Sequence, residues 1–468
     1  MTMNPLKTIK TMMNREEMST TAKIAKLLVT AVALSALTVF GGVYQTNASA
    51  ASSMISSFTF NGSGFGHGVG LSQIGAKGMA LAGKNANEIL GYYFPGTELT
   101  PVSDSQTIRV NLAHQAPKIN ISLISPSGLG SLTLINQSQI SSSPGSASTP
   151  TSPNNSNPSI SPIGSGTPIT SPYINTYNST YSLNFTISAG NIIVTSQSGG
   201  MAPTTIGSAT TWVVNWSGAD SILGVRESTS TTQIKYGSLE IDAVPNATGK
   251  YRIEVVNLMS LHDQYMYGVS EVPPTWPLAA QQAQAIASRT YAYKRLNSIK
   301  PECRCNVYAS MNDQSFIGYS KESALHGDQW VGAVNSTDVD SSTALILTYK
   351  KQPIDVYFFS SSGGETQRSK DVWGTDLPYL QSVPDPWSLS DTLNPGYAHW
   401  IRAYSYAIVA ADLGIPDLTR LVISGKTAAG ANLKVVAYSA SGAKKVFAIG
   451  IFKSLVHLPS SWFSIRVN

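Results

Sequence analysis

The order of apolar and polar positions along the chain predicts mainly β-structure. Between residues 181 and 256, short alternating runs such as NIIVTS, TWVVNW, SLEIDAV and YRIEVVN indicate antiparallel strands. TIRVNL, at residues 107–112, has the same period, and beyond Ala344 the pattern again predicts strands and turns, through SWFSIRV near the end. Gly, Asn and Pro separate the runs, as turns between strands require.

Two segments show a helical period instead. LAAQQAQAIASRTYAYKR repeats small apolar residues at helical spacing, and the preceding Thr275-Trp276-Pro277 supplies a proline for the first turn. A short helix is predicted after Asn85, because Glu88 three residues later completes a capping box, and Pro95-Gly96 ends it. The prediction is an α+β fold of mostly antiparallel sheet with a few short helices.

The first fifty residues predict a secretory signal peptide. Lys23 and Lys26 precede an apolar run at residues 27–40, and Ala48-Ser49-Ala50 forms a small-residue cleavage site. Cleavage after Ala50 would export the protein to the cell wall or the extracellular space. The apolar run is short for a membrane span, which favours a signal peptide, and an uncleaved N-terminal membrane anchor is the alternative.

Composition narrows the class of partner. Residues 51–468 have a net charge of only +2, and no basic cluster is visible in the sequence, so a neutral partner such as a sugar polymer is favoured over nucleic acid. Residues 141–172 consist almost wholly of Ser, Pro, Gly, Thr and Asn, and we expect a disordered insertion there, within a β-rich region at 101–250.

Glu271 is the strongest candidate for acid–base chemistry. It stands in VSEVPPTWP, just before a predicted helix and beside Val269, Val272 and Trp276. Apolar surroundings disfavour the charged form of a carboxyl group and raise its pKa, which suits a general acid. The alternative is a residue that only caps the helix or forms a salt bridge.

Three further segments carry polar groups. Gln284 and Arg289 of the predicted helix could position a sugar hydroxyl or amide, or could satisfy buried backbone groups. SSSGGET, residues 360–366, follows a predicted strand and would let the backbone approach a ligand, although such loops are often plain turns. GFGHGVGLSQIGAKG, residues 64–78, could display His67 and Gln73 from a tight backbone, or could be a turn-rich packing element.

Several site classes do not fit. The glycines of residues 64–78 miss the dinucleotide fingerprint, because Val69 takes the third glycine position, and neither a phosphate-loop motif nor G-x-S-x-G is present. Ser361 and Ser362 are therefore weak nucleophile candidates. Cys303 and Cys305 are separated by a single residue, which is not the usual zinc spacing, so a metal site, a disulfide and free thiols all remain open.

Four long motifs carry a family resemblance. They are GFGHGVGLSQIGAKGMALAGKNANEILGYYFPGTEL, LHDQYMYGVSEVPPTWPLAAQQAQAIASRTYAYKR, NDQSFIGYSKES and SSSGGETQRSKDVWGTDLPYLQSVPDPW. Together they resemble the stage II sporulation protein D (SpoIID/LytB) family, whose domains act on bacterial peptidoglycan. On this resemblance, residues 51–100 are the Gly/His-rich segment of the family and residues 251–468 its catalytic core.

The resemblance implies a lytic transglycosylase that needs no cofactor. Glu271 would be the general acid/base that cleaves the bond between N-acetylmuramic acid and N-acetylglucosamine, with formation of a 1,6-anhydro ring. The Gly/His-rich helical segment and the SSSGG loop would form a groove for peptidoglycan glycan strands. The residues expected to contact that substrate are His67, Gln73, Gln284, Arg289, Ser362, Gly363 and Thr366. Glu365 and Asp371 are the candidates for a second carboxylate if the reaction were hydrolytic.

Two departures from the family pattern stand out. The Gly/His-rich segment precedes the core instead of following the motif that reads LPSSWFSI here, so the order resembles a circular permutation, which keeps a fold when the joined ends lie close together. Phe359 stands where many relatives have His, which weakens a zinc site. Because the family name also covers amidase enhancers, a non-catalytic glycan-binding partner of a cell-wall amidase is the alternative function, and a structural wall or spore-coat protein is a third.

Overall fold

The computed structural model describes residues 56–137 and 174–468. The predicted signal peptide or anchor at residues 1–50 and the predicted insertion at 141–172 lie outside the described residues. Within the described part of the chain, no helix is both long and apolar enough to cross a membrane.

Twenty-five strands are described, and most are antiparallel. They are β1 (Ser57–Ser63), β2 (Leu71–Ser72), β3 (Glu98–Ser103), β4 (Thr107–Ala116), β5 (Lys118–Ile124), β6 (Ser131–Asn136), β7 (Ile174–Asn178), β8 (Tyr181–Ser188), β9 (Asn191–Ser198), β10 (Thr204–Ala209), β11 (Thr211–Ser217), β12 (Ile222–Glu227), β13 (Ser230–Ile234), β14 (Ser238–Pro245), β15 (Tyr251–Ser260), β16 (Val307–Tyr308), β17 (Asp338–Asp340), β18 (Thr343–Tyr349), β19 (Gln352–Pro353), β20 (Phe358–Phe359), β21 (Trp400–Ser405), β22 (Leu418–Lys426), β23 (Asn432–Ser439), β24 (Lys444–Ala448) and β25 (Trp462–Val467).

The helices are short, apart from one of sixteen residues. They are α1 (Gln73–Leu81), α2 (Ala86–Tyr93), α3 (Met266–Gly268), α4 (Leu278–Tyr293), α5 (Tyr319–Glu322), α6 (Gly327–Asn335), α7 (Ser369–Trp373), α8 (Tyr406–Leu413) and α9 (Ile449–Leu455). A π-helical turn at Leu261–Tyr265 leads into α3, and a 3-10 turn occupies Pro386–Leu389.

Two large sheets enclose the main hydrophobic core. One has the order β10-β9-β8-β5-β12-β13 and the other β16-β4-β15-β14-β11-β6-β7. Alternate residues of strands in both sheets, such as Ile121 of β5 and Val214 of β11, are fully buried in one cluster, which α4 and α6 extend with Ala285 and Trp330. The alternation predicted from the sequence is therefore the alternation between a buried and a less buried face of each sheet.

A second core joins the Gly/His-rich segment to the middle of the chain. Helices α1 and α2 pack against α4, and Leu71, Ile89 and Leu90 are buried with Ala283 and Ile286. The short strand β2 pairs in parallel with β20, so the segment also touches the loop that follows β20. This packing brings residues far apart in sequence to the start of α4.

A third core forms the C-terminal module, which contains the sheets β21-β1-β25 and β22-β23-β24. Strand β1 is the central strand of the first sheet, between β21 and β25, and the Ser56 amide donates to the Asn468 carbonyl at 2.9 Å. The two ends of the described chain therefore meet, which is the geometry that a circular permutation requires.

Most predicted elements are confirmed. The α+β class holds, the capping box of Asn85 and Glu88 starts α2, and the predicted central helix is α4. The prediction of strands and turns beyond Ala344 misses three helices, since α7, α8 and α9 lie there beside the strands. In α8, Ser405 caps the helix and Gly414 ends it in the left-handed region, so local start and stop signals outweigh the alternating pattern.

Candidate functional site

Glu271 lies in the turn between α3 and α4, where a second chain segment fixes it. Val269 pairs with Phe316, and the Ser270 amide donates to the Ser315 carbonyl at 2.8 Å. This pairing points the Ser315 amide at the carboxyl group, and it donates to Glu271 Oε1 at 2.6 Å. The side chain is half-buried and held in a defined position.

Burial dominates the proton affinity of this carboxyl group. It raises the pKa of Glu271 from 4.5 to about 7, against the opposing effects of the Ser315 amide and the charge of Lys321. Glu271 is therefore poised between its protonated and ionised forms near neutral pH. A general acid/base has this property.

Lys321 is the positively charged residue whose charge acts on Glu271. Its side chain is buried, with 3% of its surface exposed, and Nζ donates to the Val272 carbonyl at 2.6 Å and lies 5.1 Å from the centre of the Trp330 ring. Burial lowers the pKa of Lys321 to about 8, whereas Glu271 acts to raise it. This lysine was missed in the sequence, although NDQSFIGYSKES contains it, because only the fold carries it to Glu271.

Gln73 connects the Gly/His-rich segment to the glutamate. At the start of α1, its Nε2 donates to the Glu271 main-chain carbonyl at 3.2 Å and to Gln284 Oε1 at 3.3 Å. Gln284 is itself buried and donates from Nε2 to Ser288 Oγ at 3.0 Å. The structure thus brings Gln73, Gln284 and Glu271 together, with Gln73 the more exposed of the two amides.

One turn further along α1, a second side chain faces the same region. Lys77 Nζ lies 5.3 Å from the centre of the Trp276 ring, a cation–π contact beside the turn that carries Glu271. Both residues are half-buried, so they form a partly open rim next to the carboxyl group.

His67 occupies an aromatic environment. Its ring centre lies 6.0 Å from that of Tyr357, 5.6 Å from Phe359 and 5.2 Å from Trp373, and the Val69 amide donates to Nδ1 at 3.1 Å. Burial, and then the charge of Lys453, lower the pKa of His67 to about 3. The imidazole is neutral at neutral pH and can offer polar contacts but no positive charge.

The glycines around His67 permit close packing. Gly68 has a φ of +83°, and a Cβ there would lie 2.5 Å from the Trp462 ring and 2.9 Å from Gln367 Nε2. Any other residue would have to displace these groups or accept a strained backbone. The Gly/His-rich segment needs glycine at position 68 because β25 and the loop after β20 pack directly against its backbone.

Buried hydrogen bonds hold the SSSGG loop in place. Ser362 Oγ donates to Asp385 Oδ2 at 2.7 Å, and Asp385 also accepts from Tyr93 and Ser388. Thr366 Oγ1 accepts from the Val383 amide at 2.9 Å. Ser362 and Thr366 are buried, so the interpretation of these two side chains as substrate contacts does not fit their positions.

Gly363 is half-buried at the surface of the same loop. A Cβ there would lie 2.1 Å from the Trp462 ring. Of the loop residues expected to meet a ligand, Gly363 alone has an accessible backbone.

Arg289 is also buried, a position that does not fit a substrate contact. None of its side chain is exposed; Nε lies 3.0 Å from Asp104 Oδ2 and Nη2 lies 2.8 Å from Asp338 Oδ1. His262 belongs to the same cluster, since its Nδ1 lies 2.6 Å from Asp104 Oδ1. The guanidinium neutralises two acidic groups inside the protein, a role that replaces the expected one.

The candidate second carboxylates are engaged elsewhere. Glu365 accepts a hydrogen bond from Ser382 at 2.6 Å, and Asp371 pairs with Arg368 at 2.9 Å. The charge that acts on the pKa of Glu271 is that of Lys321, and neither acid contributes.

The cysteines form a disulfide in the structure. Cys303 and Cys305 are buried together with Val256 and Tyr308. Disulfide sulfurs carry no thiolate to bind zinc, so the metal-site alternative does not fit this arrangement. Within residues 56–137 and 174–468, no group of three or more His, Cys, Asp or Glu side chains is placed to hold a metal ion.

Comparison with known proteins supports the resemblance. Residues 250–349 match the SpoIID family, described as Stage II sporulation protein. The chain is 30% identical over 186 residues to Stage II sporulation protein D of Bacillus subtilis (strain 168), covering 38% of this chain and 53% of that protein. It is 33% identical over 177 residues to the protein of the same name from Bacillus amyloliquefaciens, covering 36% and 48%.

A shorter match links the chain to a protein of another name. It is 39% identical over 127 residues to the amidase enhancer of Bacillus subtilis (strain 168), which covers 26% of this chain and 16% of that protein. The matches span about half the length of the curated sporulation relatives, and no solved structure matches significantly. The chain is therefore similar to the SpoIID/LytB family, with the family match at residues 250–349.

Proposed function

We propose that the protein acts in the bacterial cell wall as an exported lytic transglycosylase, with Glu271 as its general acid/base. The SpoIID match and the relative named amidase enhancer support the cell-wall role. The half-buried carboxyl group of Glu271, with a pKa of about 7, carries the proposal of catalysis. The leader at residues 1–50 supports export.

The proposed reaction breaks one bond and forms another without consuming water. Protonated Glu271 donates its proton to the glycosidic oxygen as the bond to the anomeric carbon of N-acetylmuramic acid breaks. The 6-hydroxyl group of the same sugar attacks that carbon, and the Glu271 carboxylate takes the hydroxyl proton. The glutamate returns to its starting form, and the product ends in a 1,6-anhydro ring.

Burial and two neighbouring groups support both halves of this cycle. Burial favours the protonated form needed to give the proton, while the Ser315 amide and Lys321 stabilise the carboxylate needed to take one. Because burial outweighs the two opposing effects only far enough to bring the pKa of Glu271 to about 7, neither step is blocked by an extreme pKa.

The engagement of both candidate second carboxylates by other residues favours transglycosylation over hydrolysis. Hydrolysis of a glycosidic bond normally uses two carboxyl groups flanking the bond. Glu365 and Asp371 are held by Ser382 and Arg368, and neither acts on the pKa of Glu271. A sugar hydroxyl that replaces water as the nucleophile removes the need for the second group.

The substrate contacts proposed on this basis are fewer than the sequence indicated. Gln73, His67 and the Gly363 backbone are the partly exposed members of the expected set. Lys77 and Trp276 join them beside Glu271, where the Trp276 ring could stack on a sugar face.

Product analysis tests the activity. The protein from residue 51 onward is incubated with peptide-bearing and peptide-stripped glycan strands, and the products are identified by mass spectrometry. We expect 1,6-anhydro-muramic ends with the natural protein and with the control variant Glu365→Gln, and a loss of at least ~100-fold in rate with Glu271→Gln. Reducing ends, or undiminished cleavage by Glu271→Gln, would contradict the mechanism.

The match to the amidase enhancer supports a second candidate, in which the protein binds glycan and stimulates a separate amidase. An assay of peptide release by a cell-wall amidase, with and without this protein, distinguishes the two. Stimulation that Glu271→Gln retains in full, without glycan cleavage by the natural protein, would favour the enhancer role.

A further inference from the structure

The outer face of the sheet β22-β23-β24 carries several basic side chains. Its strand register aligns three cross-strand rows on one face, and Lys426 follows on the same side of β22. The rows are Arg420, Tyr438 and Lys444; Val422, Val436 and Val446; and Ser424, Lys434 and Ala448. We call this surface the basic sheet face.

No part of the described chain covers this face. The opposite face carries Ile423, Val435 and Phe447, which pack into the core of the module. On the basic sheet face, Val446 remains 56% exposed and Val422 37% exposed. A side-chain row with this exposure is open to a partner.

The charge of the sheet differs from that of the rest of the protein. Residues 418–448 contain five basic and no acidic residues, whereas residues 51–468 together have a net charge of only +2. The remaining residues of 51–468 therefore have a net negative charge, so the positive charge is concentrated here. No basic cluster is visible in the order of residues along the chain, because it is the strand register that aligns these side chains.

Within the part of the chain that the structure describes, the cations of this face form no ion pairs. In the described residues, no carboxylate lies within 4.0 Å of the charged groups of Arg420, Lys426, Lys434 or Lys444. The Arg420 guanidinium lies 4.3 Å from the centre of the Tyr438 ring, which restrains it without neutralising it.

We propose that the basic sheet face binds a linear polyanion whose charges are repeated phosphodiester groups. Neighbouring strands lie about 4.8 Å apart, which separates Arg420 from Lys444 by about 10 Å. Lys434 lies four residues from Tyr438 along β23, at about 13 Å. Cations at such intervals match an extended chain better than a single compact anion, and the Arg420 guanidinium suits a phosphate in particular.

The other features of the face exclude two alternative phosphate carriers. Single-stranded nucleic acid is bound by several aromatic rings that stack on successive bases, and this face has only Tyr438. A lipid surface is anchored by protruding Trp, Phe or Leu side chains, whereas the apolar residues here are three valines within the sheet. A phosphodiester polymer without bases is the occupant that the face fits.

This inference is independent of the proposed function. It concerns where the protein is held, and Glu271 contributes nothing to the basic sheet face. Loss of polyanion binding would leave cleavage of isolated glycan strands unchanged, so the two proposals fail separately.

Binding measurements test the inference on the protein from residue 51 onward. The probe is a fluorescent poly(glycerol phosphate), titrated at 50 mM and 200 mM salt. The test variant replaces Arg420, Lys426, Lys434 and Lys444 with Gln. The matched control replaces four exposed cations elsewhere, Lys118, Arg226, Lys250 and Lys351, with Gln.

We expect the natural protein and the control to bind the polymer, with affinity falling on the order of 10²-fold between the two salt concentrations, as release of about four counterions requires. The test variant should lose at least ~10-fold in affinity at 50 mM salt while keeping the thermal stability of the natural protein.

Three outcomes would overturn the inference. One is an equal loss in the test and control variants, which would indicate attraction by total charge alone. Another is tighter binding to single-stranded DNA of equal charge than to the polymer. The third is binding to peptide-bearing glycan or anionic phospholipid vesicles without binding to poly(glycerol phosphate).

Discussion

Replacement of Glu271 by Gln tests the central electrostatic claim independently of any substrate. Between its ordinary pKa of 4.5 and its folded pKa of about 7, the folded state holds a proton that the unfolded chain releases. The wild-type protein therefore loses stability as the pH rises through this window, and the loss is complete above about pH 7. A neutral Gln lacks this pH dependence.

The magnitude follows from the two pKa values. At 1.36 kcal/mol for each pH unit between 4.5 and about 7, the free energy of unfolding of the wild type falls by about 3 kcal/mol more than that of the variant. For a protein of this size that corresponds to about 3–4 °C in Tm. The difference in Tm between variant and wild type should thus shift by this amount, in favour of the variant, from pH 4 to pH 8.

Thermal unfolding of both proteins across this pH range gives the measurement. Other groups titrate as well, so the informative quantity is the variant minus the wild type at each pH. The exposed Glu98, replaced by Gln, serves as the control for the substitution itself. A difference for Glu271→Gln that is flat, or no larger than that of the control, would refute the claim that burial holds this carboxyl group near neutrality.

Two further substitutions test the groups around the site. Lys321→Met removes the charge that lowers the pKa of Glu271, so the alkaline limb of the pH–rate profile of glycan cleavage should move to higher pH by about one unit, and an unchanged profile would contradict the assignment. Arg289→Met should lower the free energy of unfolding by about 3–5 kcal/mol, because Asp104 and Asp338 lose their buried cation. Denaturant unfolding measures this, and a stable protein with only a raised KM would instead restore Arg289 as a substrate contact.

Local signals in the sequence predicted the elements and Glu271. Alternation predicted the sandwich strands, the Asn85 capping box predicted α2, and the apolar neighbours of Glu271 predicted its raised pKa. Each of these features depends on residues within a few positions of one another, so a single sequence contains the information.

The residues that the sequence misjudged depend on distant partners. From the sequence alone, Arg289 resembles a ligand contact. In the fold it lies against Asp104, which is 185 positions earlier in the chain. Ser362 likewise needs Asp385, and Lys321 needs the pairing of Val269 with Phe316 to lie behind Glu271. A polar side chain in a helix or loop shows that chemistry is available, but not whether the fold has already used it.

The position of the Gly/His-rich segment in the chain also depends on contacts between residues that are distant in sequence. Because β1 lies between β21 and β25, a segment at the start of the chain reaches the place that a segment after β25 would reach. Since the two ends meet, the order of the segments matters little to the packing around Gln73. The connection can then be moved without changing the site.

A rearranged chain tests this argument: residues 106–468, a short Gly/Ser linker, then residues 56–105. The linker joins ends that already share a hydrogen bond of 2.9 Å, and the new break falls between the exposed residues Ser105 and Gln106. Closing one short loop while opening another changes the free energy of unfolding by about 1 kcal/mol or less, so circular dichroism and Tm should resemble those of the natural order. A control with the same linker and its break between Val255 and Val256, inside buried β15, should fail to fold. Failure of both chains would mean that the native connection between β3 and β4 is required, and the segment would then be more than a displaced last piece of the fold.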